Sequence, residues 1–128
     1  MSSDRRLSLI AAISGLYDFV VGALLLSIPA QVANWFGSPP PSPVINANLN
    51  GMFLVAVGVG YLLPYREPQR YRGYLWVMGP LLKGGGALIF VLDYFFRGSP
   101  SAFLLFAASD GALALVTWWA LVTSPAKS

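Results

Sequence analysis

The sequence predicts an all-α integral membrane protein, a four-helix up-down bundle with N- and C-termini cytoplasmic. Three observations predict it. Hydrophobic residues make up 56 % of the 128 positions and charged residues only 10 %, against about 25 % charged in ordinary soluble domains. The apolar residues fall in four stretches, each near the ~20 residues that a bilayer core requires. Lys and Arg gather at the ends of those stretches, and they do so unevenly. Four spans with short links leave room for one domain over residues 1–128 and for no soluble catalytic module.

The first span is read at about 7–28. Arg5 and Arg6 before an apolar run resemble a signal peptide or twin-arginine leader, but the run from Leu7 to Ile28 is longer than a leader's apolar core and contains Asp18. Pro29 ends the span, because proline disfavours helix at the residue before it. The uncharged segment Pro29 to Ser42 carries Trp35, Phe36 and the run Pro39-Pro40-Pro41, and is expected to lie flat on the outer membrane surface as an aromatic-anchored strip. The second span, about 43–63, opens with Ser42 as N-cap and Pro43 at the first helical position and closes before Pro64. The third covers about 74–96. The short link Arg97-Gly98-Ser99 forces spans three and four into a tight antiparallel hairpin, and Ser99-Pro100 repeats the start signal for span four, about 100–122.

With an even number of spans both termini share a side. That side collects Arg5, Arg6, Arg66, Arg70, Arg72 and Lys127, and the other only Arg97. Such asymmetry places the termini in the cytoplasm. Tyr65, Tyr71, Tyr74, Trp76, Trp118 and Trp119 fit the inner interface; Trp35, Phe36, Tyr94, Phe95 and Phe96 fit the outer one. The net charge of +3 therefore serves orientation, with the lipid bilayer as partner and no nucleic acid expected. The loop from Arg66 to Arg72 touches anionic headgroups on this reading. Asp93 and Arg97, one turn apart, read as an i,i+4 ion pair. Cysteine and histidine are absent. Disulfides, thiol chemistry, His-ligated haem and the usual zinc sites are thereby removed, and no metal or other cofactor is expected.

Three ionisable residues lie near the middle of apolar stretches. Asp18 sits about 16 Å into span one, Lys83 roughly 14 Å into span three from the same side, and Asp110 about 15 Å into span four from the other. All three meet near the middle of a ~30 Å core. Charges at that depth are expensive unless paired or hydrated and mark a functional site by default. Helical phase brings them together. Ala11, Gly15, Asp18 and Gly22 share a stripe of span one, and Ala107, Asp110, Ala114 and Thr117 a stripe of span four. In span two Asn46, Asn50, Val57 and Tyr61 align beside Ala47, Gly51 and Gly58, and these polar faces are expected to point inward. Two carboxylates against one ammonium leave a formal charge of −1. Either one Asp is protonated, or water, a cation or a basic ligand completes the site. The candidate ligand- or proton-binding residues are thus Asp18, Lys83, Asp110, Asn50 and Tyr61. A Lys–Asp pair that only fixes bundle register remains the alternative.

Span three is irregular around its lysine. Pro80 removes a backbone donor and crowds the preceding turn, and Gly84, Gly85 and Gly86 follow Lys83. Pro80 and the three glycines are the candidate hinge of a binding cavity, or the glycines merely admit a neighbouring helix.

A Tyr17-Asp18 pair in a Gly-rich first span, an apolar outer loop ending in proline and an Asn50-Gly51 step come together with a basic inner loop and Lys83 in span three. In this the chain resembles the small four-span bacterial inner-membrane proteins grouped as DoxX-like, over nearly its whole length. The resemblance implies a multi-pass bundle of the bacterial inner membrane with accessory or small-molecule roles.

With no nucleophile or metal set, no catalytic residue is assigned. The leading expectation is a protein that binds a hydrophobic or amphipathic small molecule in the bundle, or serves as an accessory subunit of a membrane complex. A proton- or cation-coupled transporter or channel, working as a homo-oligomer, is the alternative. An intramembrane enzyme of isomerase type, with Lys83 as base and Asp18 or Asp110 as acid, ranks third.

Overall fold

The computed structural model describes residues 1–126; Lys127, counted with the termini side, lies outside the described residues. Helix makes up 81 % of the structure and no strand occurs among the described residues. Four helices are long and apolar enough to cross a membrane: Ser3–Ser27, Val44–Arg66, Arg72–Arg97 and Ser101–Val122.

The first long helix, α1 (Ser3–Ser27), starts earlier than hydropathy suggests because Ser2 caps it, its side chain accepting from the Arg5 N–H. Pro29 ends the first span as expected, α1 stopping at Ser27. It opens a second short helix, α2 (Pro29–Trp35), at whose first position its missing N–H costs nothing. Gly37, at φ 69°, then follows the end of α2 in the left-handed conformation. Of the two aromatics expected to anchor this segment, Trp35 is exposed while Phe36 turns onto the bundle and stacks on Phe106, ring centroids 4.7 Å apart.

The second long helix begins at Val44, and Ser42 makes no side-chain cap there. It comprises α3 (Val44–Gly60) and α4 (Leu62–Arg66), joined through a turn at Tyr61. The expected stop before Pro64 is overridden: Pro64 falls in the first turn of α4, where an N–H is not needed to hold the helix. The third long helix contains α5 (Arg72–Trp76), a π-helical turn (Val77–Lys83) and α6 (Gly84–Arg97). Pro80 lies inside the π turn. A proline ring clashes with the carbonyl four residues back and donates nothing to it, and a widened turn relieves both faults. Gly98, at φ 68°, ends α6 in the left-handed conformation and starts the tight link to the fourth helix. Ser99 does not cap that helix as the sequence suggests. Its hydroxyl donates instead to the Asp93 carboxylate, which also pairs with Arg97 at 3.2 Å. The fourth long helix is a 3₁₀ turn (Ser101–Phe103) followed by α7 (Leu104–Val122).

Contacts between helices show the up-down order directly. Gly15 packs on Gly58 and Gly22 on Gly51, so α1 and α3 run antiparallel. Gly79 meets Thr117, Gly84 meets Ala114 and Ala87 meets Gly111, an antiparallel pairing of the third helix with α7. Arg6 donates to the Ser124 hydroxyl and Tyr17 bonds Ser109 at 2.7 Å, joining α1 to the fourth helix. In space α1 and α7 are central, α3 flanks α1, and α6 flanks α7. Helices α3 and α6 share no comparable interface.

The end that carries both termini is knitted together. Gln69 donates to Asp4, Arg72 donates to the Leu121 carbonyl, and Arg6 also lies over the Trp119 ring at 4.9 Å. A small core of Leu7, Ile10, Ala11, Tyr61, Leu75, Ala120 and Leu121 fills this end.

Candidate functional site

Asp18 and Lys83 meet in a direct ion pair, on the two helices the sequence assigned them. Their exposures are 1 % and 3 %, so neither charge is left to solvent or lipid. The stripe of α1 that carries Asp18 is buried throughout, Ala11, Gly15 and Gly22 included. Lys83 is the last residue of the π turn, so the widening around Pro80 helps to set the direction of its side chain. The Lys83 ammonium also lies 5.3 Å from the Tyr61 ring centre and 5.8 Å from that of Tyr17. Aromatic faces attract a cation electrostatically, and more so where water is excluded. A carboxylate and two ring faces thus enclose it.

Asp110 completes the cluster without closing it. The charges of Lys83 and Asp18 both act on it, and Tyr17 lies beside it. Among the described residues, however, no ion pair includes Asp110. It is half-buried. Gly86 faces its carboxylate, and a methyl group there would stand 3.9 Å from Oδ2.

This cluster forms the polar part of a cavity of about 1010 Å³. Ligand pockets commonly measure roughly 300–1,000 Å³ and are mostly apolar with a few placed polar groups. The walls here are Val21 and Leu25 of α1, Phe53, Leu54 and Val57 of α3, and Leu81, Leu82, Gly85 and Ile89 of the third long helix. The far end is covered by the segment after α1, through Val32, Phe36, Pro39 and Pro41. Phe36, Phe90, Phe103 and Phe106 stand nearly parallel there, with interplanar angles of 5 to 24°. Toward the termini end the Tyr74 hydroxyl donates to the carbonyl of Val57, a lining residue, and the Tyr74 ring meets Tyr61 edge-on. Between α3 and α6 it stays open sideways, where Phe53, Leu81 and Ile89 are 66 to 69 % exposed.

The structure therefore brings Asp18, Lys83, Asp110 and Tyr61 together, with Asn50 on the wall of the same cavity and Tyr61 behind Lys83, outside its lining. Asn50 lines the cavity but is exposed, as is Asn46. The inward face of α3 is made by Gly51 and Gly58, since α1 approaches too closely for a polar side chain to fit between them. The asparagine that does bond across helices is Asn48, which donates to the Leu25 carbonyl at 3.3 Å. Of the candidate hinge, Pro80 lies in the π turn, Gly84 packs on Ala114, Gly85 has open space around it and Gly86 admits Asp110. Residues not singled out from sequence as site residues are Tyr17, Ser14 and the four phenylalanines. Ser14 and Tyr61 are fully buried, and their hydroxyls have no hydrogen-bond partner among the described residues. The adjacency of Tyr17 to Asp18 and of Ser109 to Asp110 was the available signal for the Tyr17–Ser109 bond. No group of His, Cys, Asp and Glu among the described residues has the form of a metal site.

Comparison with family models, with curated proteins and with solved structures finds no match to this chain.

Proposed function

We propose that this chain is a multi-pass protein of the bacterial inner membrane, with both termini in the cytoplasm, that binds an amphipathic small molecule between its helices. Membrane insertion is supported by the apolar side chains that cover the outside of all four long helices, among them Leu16, Phe53, Ile89, Phe96 and Leu115. Water-soluble monomers rarely expose patches on that scale. The basic residues at the termini end support the orientation. We further propose a kinship with DoxX-like proteins, in line with the membrane assignment and a small-molecule role.

One observation carries the binding function: an apolar cavity, open toward the bilayer side, ends on a charged cluster that the bundle has buried. A molecule entering sideways from lipid leaves its apolar part in apolar surroundings and exchanges only its polar end onto the cluster. Register-fixing alone needs the Asp18–Lys83 contact but not the space beside it.

The test is thermal unfolding of the purified protein in detergent or nanodiscs against a panel of lipids, quinones and amines. A ligand at a hundred times its Kd stabilises the native state by about 2.7 kcal/mol, a shift that rises with concentration. Gly85→Phe plugs the cavity where nothing stands within 4 Å of an added Cβ. It is expected to abolish that shift while the unliganded melting temperature stays in place. A panel with no stabilising member, or shifts that survive Gly85→Phe, would leave the cluster as a packing device only.

A further inference from the structure

We infer that the cavity selects a cationic head: its ligand is an amphiphile bearing a protonated amine, which sits on Asp110 while the apolar body lies along Phe106, Phe36 and Phe90. This rests on the proposal that the cavity binds an amphiphile, and it names the head-group chemistry.

The charge distribution carries the inference. Lys83 is paired with Asp18 and flanked by two tyrosine rings, with 3 % exposure, so its charge is already offset before a ligand arrives. Asp110 is the remaining charge, half-buried on the cavity wall and outside every ion pair among the described residues. Asp18 and Lys83 together are neutral, so the cluster presents one formal negative charge, and it presents it on Asp110. A carboxylate withdrawn from water and left unpaired is costly, and an arriving ammonium offsets that cost with a charge-assisted hydrogen bond. The Tyr17 hydroxyl, bonded to Ser109 at 2.7 Å, also reaches Asp110, but as a neutral group it leaves the carboxylate without a counter-charge of its own.

The route to Asp110 is clear because Gly86 and Gly85 have no side chains. Phe106 is four residues from Asp110 on α7 and therefore lies on the same face, one turn away. A cation on Asp110 finds the stacked rings of Phe106 and Phe36 next along the wall, and aromatic faces favour cations as well as apolar chains. An anionic head meets the opposite field, and a neutral one gains burial alone.

Three single-chain amphiphiles that differ only at the head test this: dodecylamine, dodecanol and dodecanoate, titrated into the protein in phosphatidylcholine nanodiscs and followed by thermal unfolding. Wild type is expected to hold dodecylamine at least about tenfold more tightly than dodecanol, with dodecanoate weakest. Asp110→Asn is expected to bring amine and alcohol to within about threefold of each other. Dodecanoate binding as well as dodecylamine to wild type would overturn the inference, as would an amine preference untouched in Asp110→Asn. The wild-type ranking decides the matter even if Asp110→Asn does not fold. Should dodecanol and dodecanoate bind and be blocked by Gly85→Phe but outrank the amine, the cavity reading stands and the head-group assignment alone falls. Should none of the three bind, or all survive Gly85→Phe, both readings fall together.

Discussion

Between α1 and α3, glycines bring two backbones into contact; between α3 and α6, glycines leave a space unfilled. At the first seam a Cβ added to Gly22 would come within 2.6 Å of the Gly51 carbonyl oxygen, and one added to Gly51 within 2.7 Å of the Gly22 oxygen. At the second, Gly85 has no neighbour within 4 Å of such an atom. The same residue type, at two seams of one bundle, builds a closed joint and an open one. Small residues in membrane bundles are commonly read as packing devices. What separates the two uses here is the partner: α3 faces glycines of its own opposite α1, and nothing opposite Gly85.

The largest effect is expected at the Asp18–Lys83 ion pair, which ties α1 to the third long helix beside both seams. Lys83→Met leaves Asp18 buried without its partner, a loss of about 3–5 kcal/mol. Adding Asp18→Asn in the same chain should recover most of it. Reversible unfolding in mixed micelles reads both, and a double variant no more stable than the single would show that the two residues act independently. Gly22→Leu comes next. The backbones cannot part without opening the whole α1–α3 joint, so a cost at the upper end of the ~1–3 kcal/mol typical of overpacking is expected, against none for Gly85→Phe. Equal melting temperatures for the two variants would erase the distinction drawn between the seams. Tyr74→Phe is the mildest. It removes the hydroxyl that ties the start of the third helix to the Val57 carbonyl, about 1 kcal/mol. Its signature is local, with faster amide exchange expected around Val57 and Tyr74 than around Gly22.

Much of this was legible in the chain. The 3.6-residue spacing of Ala11, Gly15, Asp18 and Gly22 defines one buried face, and counting residues from each span end puts Asp18, Lys83 and Asp110 at one level. Helix number and direction follow from the proline and glycine punctuation. What could not be read was lateral order. Nothing in the composition of α3 says that it sits against α1 and away from α6, so the opening between α3 and α6 has no sequence signal. Asn50 illustrates the limit. Its polarity suggests an inward position, but the close approach of α1 claims that face for Gly51 and turns Asn50 to the rim. Pro64 misled for a simpler reason, whereas Pro29 does mark the end of α1. Pro29 and Pro64 each fall where a new helix begins, and a first helical turn does not need their N–H.

The widened turn from Val77 to Lys83 has a consequence for chain length as well as for shape. Each α-helical residue advances the side-chain direction by about 100°. A turn that holds extra backbone therefore acts as an angular offset between the helical segments on its two sides. Tyr74, before the turn, reaches toward Val57; Lys83 and Gly86, at its end and beyond, look toward Asp18 and Asp110. Taking one residue out of that segment would swing the entire remainder of the helix away from both carboxylates without altering a single amino acid on the facing walls.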